Sequence, residues 1–435
     1  MKSTERYAIA IDVGTTTLAA SLLDIASGRR LAARSALNPQ RDFGADVVSR
    51  LAYACATQEN LSHLSALLND GVQSLVQGVI AEAAVSPESV SRIALAGNPA
   101  MEHLLLGLPV TSLAFPPYRP LFSAGKTINA TDLGWTIDAE FYLFPLPGGF
   151  VGGDLMAFLY GQGVPNPRPH VPLGPLGSGS RLFIDIGTNG EIALSTGSAI
   201  FATSAAAGPA LEGGNLACGI TAAPGAICEV SIVEDRLRFS AIPGALPLGI
   251  CGSAVIDLVA ELVREGLVDS TGRLLLPDEI PTNLANSVQV INGQWSFVIY
   301  RDAERVVYLS QDDIRQVQLA KGAIRAGMEV LAERIDMHWE SLEEVILTGA
   351  FGARLSLESL KNIGIFTTKM VKIARFVEEG ALVGIERALL SSEGLSAVEG
   401  MAKVVKVVPL SGTPAFKRHF LNHISFSSET GETAM

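Results

Sequence analysis

Basic clusters and long apolar runs are both missing from this 435-residue chain. No apolar stretch approaches the roughly 18–20 residues of a membrane helix, so we predict no membrane span. The formal charge is −12 and Lys and Arg nowhere form a basic run, which argues against nucleic acid and anionic membranes as partners. The N-terminus does not have the form of a signal peptide. With 48% apolar and 17% charged residues, the composition predicts a folded, acidic, cytoplasmic α/β protein.

Cysteine is scarce, and its spacing lacks the usual cluster-binding motifs. The chain has four cysteines, Cys55, Cys218, Cys228 and Cys251, and no Cys-x-x-Cys pair. Because ferredoxin-type clusters are held by closely spaced cysteines, we predict free thiols and no iron–sulfur cluster in this chain. A cluster shared by two subunits through Cys218, Cys228 or Cys251 stays open as an alternative. The six histidines show no His-Glu-x-x-His motif, and we predict no zinc site.

One structural plan occurs twice along the chain. Each copy is predicted to begin with a three-stranded meander, over residues 7–37 and 181–203. A later strand ends at Gly97 in the first copy and at Gly349 in the second, and each copy also has a helix that begins with small residues, at 152–160 and 380–389. Such a long period predicts a duplicated domain rather than a solenoid.

The domain boundary is predicted in the Pro- and Gly-rich stretch 161–180, whose composition is typical of a linker. The first domain then comprises residues 1–178 and the second 179–435. An insertion at about 205–343 separates the second meander from its later strand.

The motif Asp-x-Gly-Thr ends the first strand of each copy, at Asp12 and at Asp185. Glycine permits a tight turn in which backbone N–H groups and Thr hydroxyls suit phosphate oxygens. An aspartate at the strand end supplies a hard oxygen for Mg²⁺. Two such hairpins facing each other predict an Mg·ATP site, whereas two ordinary hairpins are the alternative. The predicted phosphate contacts are Gly14, Thr15, Thr16, Thr17, Gly187, Thr188 and Asn189, with Asp12 and Asp185 holding the metal.

The turn after the strand ending at Gly349 is the predicted adenosine contact, through Gly349, Ala350 and Gly352. The preceding helix is capped by the pair Ser310 and Asp313, and Lys321 lies on its apolar stripe. That lysine either extends along the edge of the core or reaches the nucleotide.

Two further carboxylates have two open interpretations each. Asp154, at the start of the 152–160 helix, is the candidate for orienting the hydrolytic water, and capping its helix is the alternative. Glu212 lies in the glycine-flanked string Gly-Pro-Ala-Leu-Glu-Gly-Gly. It is predicted to contact ribose or the water shell of Mg²⁺, or only to cap a helix.

The order of these segments resembles the actin, sugar kinase and heat-shock ATPase superfamily. The matched segments are the first phosphate hairpin, a connecting helix, the second phosphate hairpin, the adenosine turn and a second connecting helix, at residues 12–17, 152–160, 185–191, 348–352 and 380–389. The resemblance implies duplicated ribonuclease H-like domains with a nucleotide cleft between them, and ATP and Mg²⁺ as cofactors.

Several strings resemble more closely the reductive activators of corrinoid proteins. They include Asp-Val-Gly-Thr-Thr-Thr, Asp-Ile-Gly-Thr-Asn-Gly-Glu and Gly-Pro-Ala-Leu-Glu-Gly, and nearly the whole chain is covered. The resemblance implies an ATPase that returns an inactive Co(II) corrinoid protein to Co(I) in a methyltransferase system. Members of that family usually carry a ferredoxin-type domain. Since this chain lacks cluster-binding cysteines, a separate ferredoxin-type electron donor is expected. A homodimer is expected as well.

Two other functions remain alternatives at this point. A small-molecule kinase of the same fold would need an acceptor motif, and we find none in the sequence. An ATP-gated chaperone or regulator of a corrinoid partner would use the same nucleotide site without electron transfer.

Overall fold

The chain is described from a computed structural model, which covers residues 6–164, 179–349 and 355–426. Its strands are β1 Tyr7–Val13, β2 Thr17–Asp24, β3 Arg29–Leu37, β4 Val90–Gly97, β5 Lys126–Asn129, β6 Glu140–Leu143, β7 Arg181–Ile186, β8 Gly190–Ser195, β9 Ile200–Ala205, β10 Ala226–Val233, β11 Arg236–Ala241, β12 Gly249–Ile250, β13 Val288–Ile291, β14 Gln294–Arg301, β15 Val306–Ser310, β16 Glu344–Gly349, β17 Ala374–Phe376 and β18 Val405–Val407.

The α-helices of the described residues are α1 Val47–Ala56, α2 Gln58–Glu82, α3 Pro99–Leu105, α4 Thr111–Ala114, α5 Gly153–Gly161, α6 Gly252–Arg264, α7 Gln311–Arg334, α8 Leu357–Asn362, α9 Thr368–Ile373, α10 Gly380–Leu390, α11 Gly394–Ala402 and α12 Pro414–His423. In the part of the chain that the structure describes, no helix combines the length and the apolar character that a bilayer span requires.

Two six-stranded sheets repeat the same strand order. The first runs β3-β2-β1-β4-β6-β5, and the second runs β17-β16-β7-β8-β9-β18. The central order β3-β2-β1-β4 therefore matches β9-β8-β7-β16. The register matches as well, because Val13 pairs with Gly97 and Ile186 pairs with Gly349 across parallel strands. The predicted duplication and both predicted meanders are confirmed.

The described residues fall into two compact units. The first contains residues 6–164, 195–203 and 379–408, and the second contains 179–194, 204–349, 355–378 and 409–426. Most of the predicted linker, residues 165–178, lies outside the described residues. The division at 178/179 stays a prediction.

In the first unit, the pleat of β1 separates large from small side chains. Ile9, Ile11 and Val13 belong to the apolar core that also contains the buried side chains of α2. Because side chains alternate along a strand, Ala8 and Ala10 lie on the opposite face. Helix α10 packs on β1, and these small side chains allow its close approach.

Polar contacts also hold α10 on the first sheet. Glu386 accepts hydrogen bonds from the Ser21 hydroxyl at 2.5 Å and from Arg30 Nε at 2.7 Å. Arg30 also pairs with Glu379 just before the helix, at 2.5 Å. Although exposed ion pairs add little stability, the partly buried Glu386 fixes the axial position of α10.

In the second unit, the long helix α7 begins at the predicted cap. The Ser310 hydroxyl accepts from the Asp313 N–H at 3.1 Å, and the Asp313 carboxylate accepts from the Ser310 N–H at 2.8 Å. Helix α7 also borders the second phosphate loop, since a Cβ on Gly190 would lie 2.9 Å from Ile324. The predicted insertion forms two three-stranded sheets, with strand orders β11-β10-β12 and β13-β14-β15, and helix α6 packs on β10.

Candidate nucleotide-binding site

The first phosphate loop is a tight turn between β1 and β2. The Gly14 N–H donates to the Thr17 carbonyl at 2.9 Å. A Cβ on Gly14 would approach that carbonyl oxygen to 2.7 Å, so the turn requires glycine. The buried Asn38 fixes the loop further: its N–H donates to the Thr16 carbonyl at 2.9 Å and its Nδ2 to the Gly14 carbonyl at 3.0 Å.

The turn between β4 and α3 orients Thr15. The buried Asn98 accepts from the Met101 N–H at 3.0 Å and so caps α3. Its Nδ2 donates to the Thr15 hydroxyl at 3.1 Å. Because Thr15 accepts this bond, its own hydroxyl proton is directed to a different acceptor. Sequence reasoning gave Asn98 no site role, although an Asn before Pro99 is a typical helix start.

Two glycines bring Asp154 close to the same turn. A Cβ on Gly152 would lie 2.4 Å from the Gly97 carbonyl oxygen, and one on Gly153 would lie 2.7 Å from Glu102 Oε1. Only glycines therefore allow the start of α5 to approach the β4–α3 turn. Asp154 Oδ1 accepts from the Leu155 N–H at 2.8 Å, and the residue is half-buried.

Glu102 is a buried carboxyl beside this site that the sequence analysis missed. Its Oε1 accepts from the Gly97 N–H at 3.3 Å, and its Oε2 has no hydrogen-bond partner in residues 6–164, 179–349 and 355–426. Burial, together with the charge of Asp154, raises the pKa of Glu102 well above its usual value. Burial also raises the pKa of Asp154 to about 6. The pair therefore holds protons at pH values where exposed carboxyls are ionised.

We expect Asp154→Asn to flatten the pH dependence of stability. With the pKa of Asp154 at about 6, the folded state keeps a proton that the unfolded state releases near pH 4. Stability therefore falls as the pH rises from about 4 to about 6. Replacement by Asn should raise the free energy of unfolding at pH 7 by about 1–3 kcal/mol and change it less at pH 4. Urea unfolding at both pH values measures this difference.

The matched control for this experiment is Asp42→Asn, since that side chain is 78% exposed. It should leave the pH dependence as in the original protein. If Asp154→Asn and the original protein lose stability in parallel between pH 4 and 7, Asp154 is not the source of the pH dependence.

The second phosphate loop lies against Glu212. The Thr188 hydroxyl donates to Glu212 Oε2 at 2.5 Å. Glu212 ends a short 3₁₀ turn, Pro209–Glu212, that is closed by Gly213 at a φ of 83°. A Cβ on Gly252 would lie 2.3 Å from the Leu211 carbonyl oxygen, so the start of α6 packs directly on this turn. The structure thus brings Glu212 to the loop containing Gly187, Thr188 and Asn189, as its sequence position suggested.

Strand register places Gly349, where the predicted adenosine turn begins, beside the second loop. Asp185 pairs with Thr348, and Ile186 with Gly349. Gly349 has a φ of 139°, which favours glycine. Ala350 and Gly352 lie outside the described residues. In the first unit, the equivalent register pairs Asp12 with Ala96.

Lys321 has a partner other than the predicted nucleotide in this structure. It is buried, its Nζ donates to the Ser425 carbonyl at 2.5 Å, and it lies 5.2 Å from the centre of the Phe426 ring. Burial and the nearby Arg325 lower the pKa of Lys321 to about 7. The lysine thus fixes the segment after α12, and its role as a nucleotide contact stays a prediction.

Two of the four cysteines lie close together in space. All four are free thiols, and Cys228 and Cys251 are buried in one apolar cluster with Ala226. Among the described residues, none of the four belongs to a group of three or more potential metal ligands.

The repeated sheets, with glycine-containing loops at equivalent strand ends, define the class of protein. The fold is that of the actin-like ATPases, also called the ASKHA fold, as predicted. Residues 180–434 match the family model described as the C-terminal domain of RACo, the ASKHA domain, and residues 7–166 match the RACo middle region. The chain belongs to this RACo family.

The similar proteins agree with this assignment. The chain is 31% identical to the corrinoid activation enzyme RamQ of Eubacterium limosum, over 97% of this chain and 70% of that protein. It is 23% identical to the Co(II) methylated amine-specific corrinoid protein reductase of Methanosarcina barkeri, over 97% of this chain and 77% of the relative. The solved structure of a reductive activator for corrinoid iron–sulfur protein superposes with a TM-score of 0.86, at 28% identity, over 98% of this chain and 67% of that one.

Proposed function

We propose that this chain is an ATPase that promotes the reduction of a Co(II) corrinoid protein to Co(I). The observation that carries the proposal is the repeated strand-end geometry, in which Asp12 and Asp185 occupy equivalent positions next to glycine-containing loops. Membership of the RACo family, and relatives named as corrinoid activators, support the corrinoid protein as the partner.

The residues present fit Mg·ATP. We assign Asp12 and Asp185 as ligands of Mg²⁺ or of its water shell, since carboxylate oxygens are hard donors. When bound, the metal offsets the charge that develops on the transferred phosphoryl group. Thr15 is oriented by Asn98 so that its hydroxyl proton can be donated to phosphate oxygen. The other proposed phosphate contacts are Gly14, Thr16, Thr17, Gly187, Thr188 and Asn189.

Glu212 and Asp154 have different proposed roles. Glu212 orients the Thr188 hydroxyl and contributes a carboxylate beside the second loop. Asp154 orients the hydrolytic water. The neighbouring buried Glu102 supports this role because Glu102 keeps its own proton and so adds no second negative charge. Gly349, Ala350 and Gly352 are proposed to contact the adenosine. Lys321 could contact the nucleotide only after its hydrogen bond to the Ser425 carbonyl breaks.

The electron comes from a ferredoxin-type protein in this proposal. One electron passes from the reduced donor to Co(II), which becomes Co(I), while ATP and water give ADP and phosphate. ATP can favour this step only by binding more tightly to the state of the activator that engages the corrinoid protein. A homodimer is a further expectation.

The test mixes this protein with a Co(II) corrinoid protein, a reduced ferredoxin and Mg·ATP, and follows the Co(I) absorbance. We expect Co(I) to form with ATP and not without it, with phosphate release measured in parallel. Equal Co(I) formation with and without ATP would overturn the proposed coupling. ATP-dependent phosphate release that does not change the cobalt spectrum with any corrinoid partner would favour the non-redox regulator.

A further inference from the structure

Two packed helices of the second unit present matched pairs of metal-binding side chains. Helix α7 carries Glu329 and Glu333, and helix α12 carries His419 and His423. Residues four apart in a helix lie on the same face. Helix α12 packs on α7, so the two glutamates face the two histidines.

The side-chain distances bring these four groups into one cluster. His419 Nε2 lies 2.6 Å from Glu333 Oε2, and His423 Nε2 lies 3.9 Å from Glu329 Oε1. Ligand atoms of Glu329, His419 and His423 all lie within 4.8 Å of one another. Each bond that a metal would form is about 2.0–2.2 Å long, so one ion can reach all three with small side-chain rotations.

We propose that this cluster, which we call the α7–α12 site, binds one divalent transition-metal ion of the Zn²⁺ type. His419, His423 and Glu329 are the assigned ligands, with Glu333 as the fourth. Two imidazoles and two carboxylates form a donor set suited to tetrahedral Zn²⁺. Imidazole nitrogens favour such ions over Mg²⁺, which prefers oxygen ligands.

The surroundings prepare the ligands for a metal. Glu329 Oε1 accepts from Arg325 Nε at 2.8 Å and from Trp339 Nε1 at 2.9 Å, so outer hydrogen bonds hold this carboxylate in place.

The positive charge nearby can be redistributed when the ion binds. Arg418 pairs with Glu333 at 2.5 Å, and its side chain is 52% exposed. It can therefore turn into water and leave Glu333 to the metal. Arg325 keeps a second partner in the Ile365 carbonyl, at 2.9 Å, and stays as an outer hydrogen-bond donor.

A bound ion would fasten the C-terminal helix to α7. The chain after α12 continues directly to Ser425 and Phe426, which cover Lys321. Metal binding at the α7–α12 site would thus stabilise the covered state of that lysine. The prediction of no zinc site overlooked the His-x-x-x-His spacing at 419 and 423.

The experiment uses the full chain after treatment with a chelator and removal of the chelator. Zn²⁺ is titrated by calorimetry, and Co²⁺ is added separately to record its visible spectrum. We expect one ion per chain, an intense Co²⁺ spectrum typical of tetrahedral coordination, and a higher melting temperature with Zn²⁺. His423→Gln and His419→Gln should each weaken Zn²⁺ binding by more than about 100-fold.

His63→Gln is the matched control, since this histidine lies in an exposed position on α2. It should bind Zn²⁺ as the original protein does. Melting curves in chelator verify that the variants are folded, and the Co²⁺ spectrum of the original protein provides a test that needs no variant. Absence of stoichiometric Zn²⁺ binding would overturn the proposal. So would Zn²⁺ binding of unchanged strength in a variant that combines His419→Gln with His423→Gln.

Discussion

Asp185→Asn, and separately Asp12→Asn, should lower the ATP-dependent rate of Co(I) formation by at least about 100-fold. The amide is nearly isosteric with the carboxylate but has no charge to hold Mg²⁺ or its water shell. Asp12 and Asp185 lie near the ends of strands that are hydrogen-bonded in register to their neighbours. The substitutions should therefore leave the backbone in place. Calorimetric titration with Mg·ATP, together with the cobalt absorbance assay, measures the loss of binding and of activity.

The control is Asp235→Asn in the turn between β10 and β11. Asp235 is exposed and has a φ of 57°, a conformation that Asn adopts readily. This variant should retain full activity. If Asp12→Asn and Asp185→Asn both kept more than about half of the rate of Co(I) formation, the two strand-end carboxylates would not be metal ligands.

Gly384→Ala should strongly lower the stability of the first unit. A Cβ at this position would lie 1.8 Å from the carbonyl oxygen of Ala157, at the crossing of α10 and α5. Both partners are helix backbone, so relief requires the helices to separate. Overpacking of this kind costs about 3 kcal/mol or more, which is a large part of the stability of a typical domain. Urea unfolding of the variant should show a clearly lower midpoint.

Gly134→Ala separates steric overlap from backbone strain. Gly134 has a φ of 78°, and a Cβ there would meet no atom within 4 Å. The left-handed conformation alone costs an alanine about 1–2 kcal/mol. If Gly384→Ala proved no more destabilising than Gly134→Ala, the close approach of α5 and α10 would not limit the stability of the first unit.

Local sequence patterns were sufficient to predict the repeated framework. Apolar strands that end in Asp-x-Gly-Thr, together with turn residues, define both meanders, and the β4 and β16 strands end at Gly97 and Gly349 as expected. These features depend on strand periodicity and on the conformational freedom of glycine, both of which act over a few residues. The same reasoning located the start of α7 from its Ser310 cap.

The surroundings of individual side chains were not determined by local pattern. Glu102 lies in a segment that reads as an ordinary helix, yet the approach of α5 buries it next to Asp154. Lys321 fits an apolar helix stripe, but only the returning C-terminal segment shows what its Nζ binds. The amino-acid sequence by itself thus determined the strand-end loops and the residue types that they present. Tertiary packing alone decided which carboxyls keep a proton and which distant side chains form the α7–α12 site, because desolvation and ligand geometry depend on neighbours far away in sequence.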